Sequence, residues 1–174
     1  MLSLKAFYQK RLLFDAQRSF SSLSGSIQSA LIKAKDSAED SSFFESFYNS
    51  LSSVHARDLQ TDDVLRLCQV LSHHTAAPES PIYSTLNEYF RVHFRKISLA
   101  EALQLTEAIS PIGGYMDAQF WVWEALEEAI KPHIYEISKK DFVTVRETFL
   151  GTQNASDDLM SYIRYRNVLD LKVW

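Results

Sequence analysis

The chain repeats itself. Aligning residues 65–72, 103–110 and 143–150 puts an apolar side chain at positions one, three and seven of every line: Leu65, Leu67, Leu71; Leu103, Leu105, Ile109; Val143, Val145, Phe149. Position five is Gln69, Glu107 and Glu147. The lines begin 38 and then 40 residues apart. Each leads through a turn-rich break into a second amphipathic run. Self-similarity at such a period marks stacked helical hairpins, because one hairpin cannot bury its apolar face until a neighbour seals it. The expected fold is therefore all-α: a right-handed stack of three to four antiparallel helical hairpins, a short α-solenoid. The hairpins are expected at about residues 25–53, 61–95, 98–131 and 138–169, within a single domain spanning 21–174.

Composition agrees with long helices. Only 4 glycines and 4 prolines interrupt 174 residues, and 46% of the side chains are apolar, enough for a core. The single cysteine, Cys68, excludes an internal disulfide and a cysteine metal cluster. It sits on the apolar side of its helix and reads as a small buried hydrophobe. No run reaches the roughly 18 apolar residues of a transmembrane helix.

Charge is unevenly distributed. Residues 1–35 carry six basic side chains against Asp15, a net +5, so a chain of net −4 has a body of −9. Met1 to Phe20 combines Leu2, Leu4, Phe7, Leu12 and Leu13 with four basic residues and runs into the serine-rich stretch 19–29. Amphipathic, basic, serine-rich and poor in acids is the pattern of a mitochondrial transit peptide. Arg18-Ser19-Phe20-Ser21-Ser22 suits processing after Phe20. The alternative is an ordinary basic first helix.

Helix punctuation places the later elements. Thr61, before Asp62 and Asp63, reads as an N-cap. Ser80-Pro81 reads as a cap followed by proline at the first helical position. Ser98 with Glu101 is a capping box, and Ser138 with Asp141 opens a further helix. The run from Asp117 to Ile130 has an apolar arc of about 200°, at 100° per residue. That width suits a helix sandwiched between neighbours. Within it, Trp121 and Trp123 lie about 200° apart, so one is expected inside the hairpin and the other between hairpins or against a partner.

Little in the sequence names a chemistry. His73 and His74 are adjacent, about 100° apart on a helix, and read as partners of a helix C-terminus. His55, His93 and His133 lack ligand-type neighbours at metal-helix spacing. Gly113-Gly114 has no following Lys-Ser/Thr, so it is a turn rather than a phosphate loop. Glu127-Glu128 and Asp157-Asp158 read as solvated charge. No catalytic residue, cofactor or metal is expected. The candidate contact residues are Trp121 and Trp123, with the basic-aromatic cluster Tyr162, Arg164, Tyr165 and Arg166 near the C-terminus. RNA phosphates would require a basic groove, drawn from Arg91, Arg95, Lys96, Arg164 and Arg166.

These spaced Leu-x-Leu-x-Gln/Glu-x-Leu/Ile-Ser lines resemble the organellar helical-repeat proteins of the pentatricopeptide, octotricopeptide and FAST-kinase-like classes. The resemblance covers residues 59–169, and 27–51 more loosely. The period exceeds the 35 residues usual in pentatricopeptide repeats. Position four of the lines varies (Cys68, Thr106, Arg146), so no base-reading code carries over. The resemblance extends to small accessory subunits such as the pentatricopeptide-like subunit of euglenozoan ATP synthase, and to helical-repeat proteins of divergent mitochondrial ribosomes. It implies a non-enzymatic structural or accessory subunit in the mitochondrial matrix whose partners are proteins of a larger assembly. An RNA-binding or RNA-processing factor is the alternative, disfavoured by the acidic body.

Overall fold

The computed structural model describes residues 23–35 and 41–172. The expected targeting peptide and its cleavage point lie outside the described residues. The described chain is all-helical: α1 (23–35), α2 (Ser41–Ser50), α3 (Thr61–His73), α4 (Pro81–His93), α5 (Leu99–Ile109), α6 (Trp121–Ile130), α7 (Lys139–Thr152) and α8 (Asp157–Lys172). Single 3-10 turns lie at Leu51–Ser53, Ala56–Asp58, Gly113–Tyr115 and Lys131–His133.

The helices form two rows. In one, α3 packs on α5 and α5 on α7; in the other, α2 packs on α4 and α4 on α6. The α5–α6 contact joins the rows. The sequence repeat explains this order. Position three (Leu67, Leu105, Val145) and position seven (Leu71, Ile109, Phe149) are buried in all three lines. Position one (Leu65, Leu103, Val143) is half-buried and position five (Gln69, Glu107, Glu147) is exposed in each. One continuous core runs from Ile27 to Ile163. Each fully buried Leu, Ile or Phe contributes about 1.5–3 kcal/mol.

Local chemistry sets the element ends. The Ser98 hydroxyl accepts from the Glu101 N–H at 3.3 Å while the Ser98 N–H donates to Glu101 Oε2 at 2.9 Å. Ser138 caps α7 by accepting from the Asp141 N–H at 3.1 Å. Gln153 ends α7 in the left-handed region, φ 59°. Two expectations are corrected. The residue before α3 is Gln60, whose N–H donates to Asp63 at 3.2 Å; the Thr61 hydroxyl is used elsewhere. Helix α6 starts at Trp121, because Asp117 closes a turn on itself, accepting from the Gln119 N–H at its carboxylate and the Phe120 N–H at its carbonyl.

Gly113 is a glycine for want of space. An added Cβ would lie 2.7 Å from Thr152 Cγ2 and 2.9 Å from Trp123 Cη2. The turn between α5 and α6 thus packs directly on the end of α7. Cys68 is fully buried, and burial pushes its thiol up to about 12. His74 ends α3 with its ring stacked on Phe44 at 4.0 Å, and the Tyr48 hydroxyl donates to its carbonyl at 2.6 Å.

Candidate interaction surface

The six sequence-selected contact residues divide into interior and surface. Trp123 is buried, its indole N–H donating to the Asp117 carbonyl at 3.0 Å and its ring edge-on to Phe149. Trp121 is 36% exposed and meets Phe94, just past α4, edge-on at 5.5 Å. The 200° separation of the two indoles is realised: one fills the core beside Gly113, and the other covers the α4–α6 contact from outside.

The C-terminal cluster comes apart. Arg164 and Arg166 are two residues apart on a helix, hence about 200° apart around it. Arg164 is exposed. Arg166 is buried, and its guanidinium donates to two main-chain carbonyls, those of Ile134 and Ile137. It lies 4.6 Å from the centre of the Phe142 ring, with Asp170 at 3.7 Å. Its donors are aimed inward, so it is a strut joining α8 to the connection before α7 rather than a phosphate contact. Arg91, a second member of the expected basic groove, is held by both oxygens of Glu88. That hydrogen-bonded guanidinium keeps the Glu88 carboxyl below its ordinary range.

Tyr162 and Tyr165 are three residues apart and do share a side of α8. They meet a residue the sequence did not single out. The Tyr135 ring lies 5.8 Å from Tyr162 and 5.9 Å from Tyr165, edge-on to the latter. Tyr135 is 45% and Tyr165 58% exposed. Val168 and Leu169, also exposed, continue the surface three and four residues beyond Tyr165. Desolvation pushes the Tyr135 phenol above its ordinary range, and the neighbouring phenols of Tyr162 and Tyr165 add to the shift. Tyr135 was missed because it lies in a connection, where periodicity carries no signal. Its position follows from the Arg166 strut, which fixes the backbone on either side of it.

A groove of about 640 Å³ lies beside α6, lined by Phe120, Trp123, Glu124, Glu128 and Gln153. Glu127, expected to be solvated, is instead a tie from α6 to the start of α8. It accepts from the Ser156 hydroxyl and N–H, while Lys131 bridges to Asp158 at 2.8 Å.

At position four of the repeated lines, Cys68 and Thr106 are buried, and the Thr106 hydroxyl donates back to Ala102. Among the described residues no group of three or more His, Cys, Asp or Glu side chains could hold a metal ion, and no helix is long and apolar enough to cross a membrane. Comparison with protein-family models, curated proteins and solved structures gave no match.

Proposed function

We propose that this chain is a non-enzymatic, protein-binding helical-repeat module, and that its contact surface is the end of the stack formed by Tyr135, Tyr162 and Tyr165. The single observation behind this is the cluster of two exposed rings, Tyr135 and Tyr165, on the half-buried Tyr162, with the exposed Val168 and Leu169 beside it. Contiguous apolar surface of this kind marks association sites, and tyrosine is enriched among the residues that dominate binding energy. Rings already packed against each other lose little side-chain freedom on binding, which lowers the cost of association. The basic, acid-poor residues 1–20 extend the reading to an accessory subunit of a mitochondrial assembly. The two-row packing of α2–α7 is what a short solenoid would have, with α8 as its open end.

The test is affinity purification of the tagged chain from its own cells, with and without nuclease, beside a Tyr165→Ala variant. Recovery of one set of proteins in fixed stoichiometry, unchanged by nuclease and lost in the variant, is the expected outcome. Partners released by nuclease, or retained in full by the variant, would overturn the assignment of this surface. Absence of the chain from mitochondria would remove the location alone.

A further inference from the structure

A polar knot ties three helices together at one corner of the stack, away from the aromatic surface. The Thr61 hydroxyl at the start of α3 donates to Glu101 Oε1 of α5 at 2.7 Å. The Tyr89 hydroxyl of α4 lies 3.0 Å from the same Thr61 oxygen. A hydroxyl has one proton, and that of Thr61 is given to Glu101, so Tyr89 is the donor to Thr61. Glu101 is held in place by Ser98, whose N–H and hydroxyl both donate to Oε2. The Tyr89 ring is in turn backed by the His93 ring, stacked at 4.5 Å with 26° between planes.

His93 completes the knot and leaves one atom unmet. Its Nε2 is buried with no hydrogen-bond partner. The Ala56 backbone also acts on the ring, in the direction of a second proton. The neutral ring fits this site: Nδ1 carries the proton and Nε2 buries only a lone pair. A second proton would make Nε2–H a charged donor in a dry place with no acceptor, which costs much more than an idle lone pair.

We propose that this corner is an acid-sensitive joint, closed while His93 is neutral and loosened when Nε2 takes a proton. The groups around the ring pull in both directions. Glu101 from α5, the Ala56 backbone from the preceding 3-10 turn and the face of Tyr89 favour the imidazolium; Lys96, from the segment after α4, opposes it. Asp63 of α3 acts on Tyr89, and Arg57 on Glu88, one residue from it. Burial of the unmet nitrogen decides the balance against the charged form, and the His93 imidazole lies below its ordinary range, with desolvation as the largest cause and Lys96 next. The sign follows: the proton prefers the open chain. Stability is complete above the ordinary imidazole value of about 6.5 and falls as pH drops below it, until the folded-state value is passed. Over that window the unfolding constant rises by up to about tenfold per pH unit.

The test follows the His93 ring resonances of the full chain by NMR from pH 8 to pH 4.5. Thermal denaturation over the same range is measured beside His93→Phe and His93→Gln. Phenylalanine keeps the ring stack and takes no proton; glutamine guards against a phenylalanine variant that fails to fold. The expected result is a His93 midpoint below about 6.5, with a fall in stability between pH 6.5 and 5 that is reduced in either folded variant. Amide protection at Asp63 and Glu101 should drop over that window in the wild type alone. A midpoint at or above 6.5, or an equal pH dependence in the variants, would overturn the proposal.

Discussion

Removing the Arg166 guanidinium tests the step on which the aromatic surface depends. The sequence offers Arg166 as one of two cations available to a partner, whereas the structure makes it a strut. In Arg166→Ala the carbonyls of Ile134 and Ile137 lose their donors. A hydrogen bond from a charged donor contributes about 1.5–3 kcal/mol, and an orphaned buried acceptor costs its desolvation. Two such bonds sum to about 3–6 kcal/mol. The lower end applies, because Asp170, the anion left behind, is 35% exposed and can be solvated, so its share of the ion pair is small. The expected loss is about 3 kcal/mol, a fall in Tm of roughly 6–12 °C for a chain of this size.

Urea denaturation followed by far-ultraviolet circular dichroism measures it, with two companions. Arg166→Met keeps the apolar stem over Phe142 and should recover only part of the loss, because the carbonyls stay unmet. Arg164→Ala, on the solvent side of the same helix, should lie within about 0.5 kcal/mol of wild type. Equal and small effects of Arg164→Ala and Arg166→Ala would refute the strut. The two arginines would then belong together on the surface, and the position given to Tyr135 would fall with them.

Gly113→Ala should cost about 1–3 kcal/mol by overpacking against Thr152 and Trp123, measured as a lower urea midpoint at unchanged slope. Tyr165→Ala should leave the midpoint within about 0.5 kcal/mol of wild type while abolishing partner recovery, since the ring is mostly exposed. Cys68 should resist alkylation at pH 8 in the folded chain and react only in urea, because burial holds the thiol protonated. The Glu101 carboxyl is held below its ordinary range first by the Ser98 hydroxyl, then by the Ser98 N–H and Thr61. Its contribution is present above the unfolded carboxyl value and is lost as pH falls through the folded one. Thr61→Val should shrink that acid-side loss, measured by thermal denaturation between pH 5 and pH 3.

The helices were legible because their signals are local. Ser98-x-x-Glu101 and Ser138-x-x-Asp141 fix helix starts by bonds made within three residues, and the repeated apolar positions give the buried side of each helix; at Ser80-Pro81 the proline opens the helix while the Ser80 hydroxyl makes no cap bond, a correction to the expected cap. The other errors occurred where a bond crosses between elements. The Thr61 hydroxyl has a local use as a cap and a distant use on Glu101, and spacing cannot rank them. Arg164 and Arg166 look like a cluster in the chain but diverge by 200° on a helix, a separation that could have been applied to them as it was to Trp121 and Trp123. Tyr135 lies in a connection whose path is set by a guanidinium 29 and 32 residues away, so neither composition nor period could find it.

The repeat also bears on which class of partner suits the stack. Position five is exposed in every copy, as is position eight, and it sets Gln69, Glu107 and Glu147 along the row α3–α5–α7. A nucleic-acid backbone laid along that row would meet two carboxylates and no cation at the repeated position, where affinity requires Lys or Arg. Position four, where a base-reading side chain would have to vary in the open, is closed by burial at Cys68 and Thr106; at the third line Arg146 is half-buried and pairs with Glu147. The described surface thus offers two carboxylates at the repeated position and an aromatic end. A protein partner could use both, through basic side chains on the carboxylates and an apolar anchor among the three tyrosines, which is why the proposed reading is protein binding rather than RNA binding.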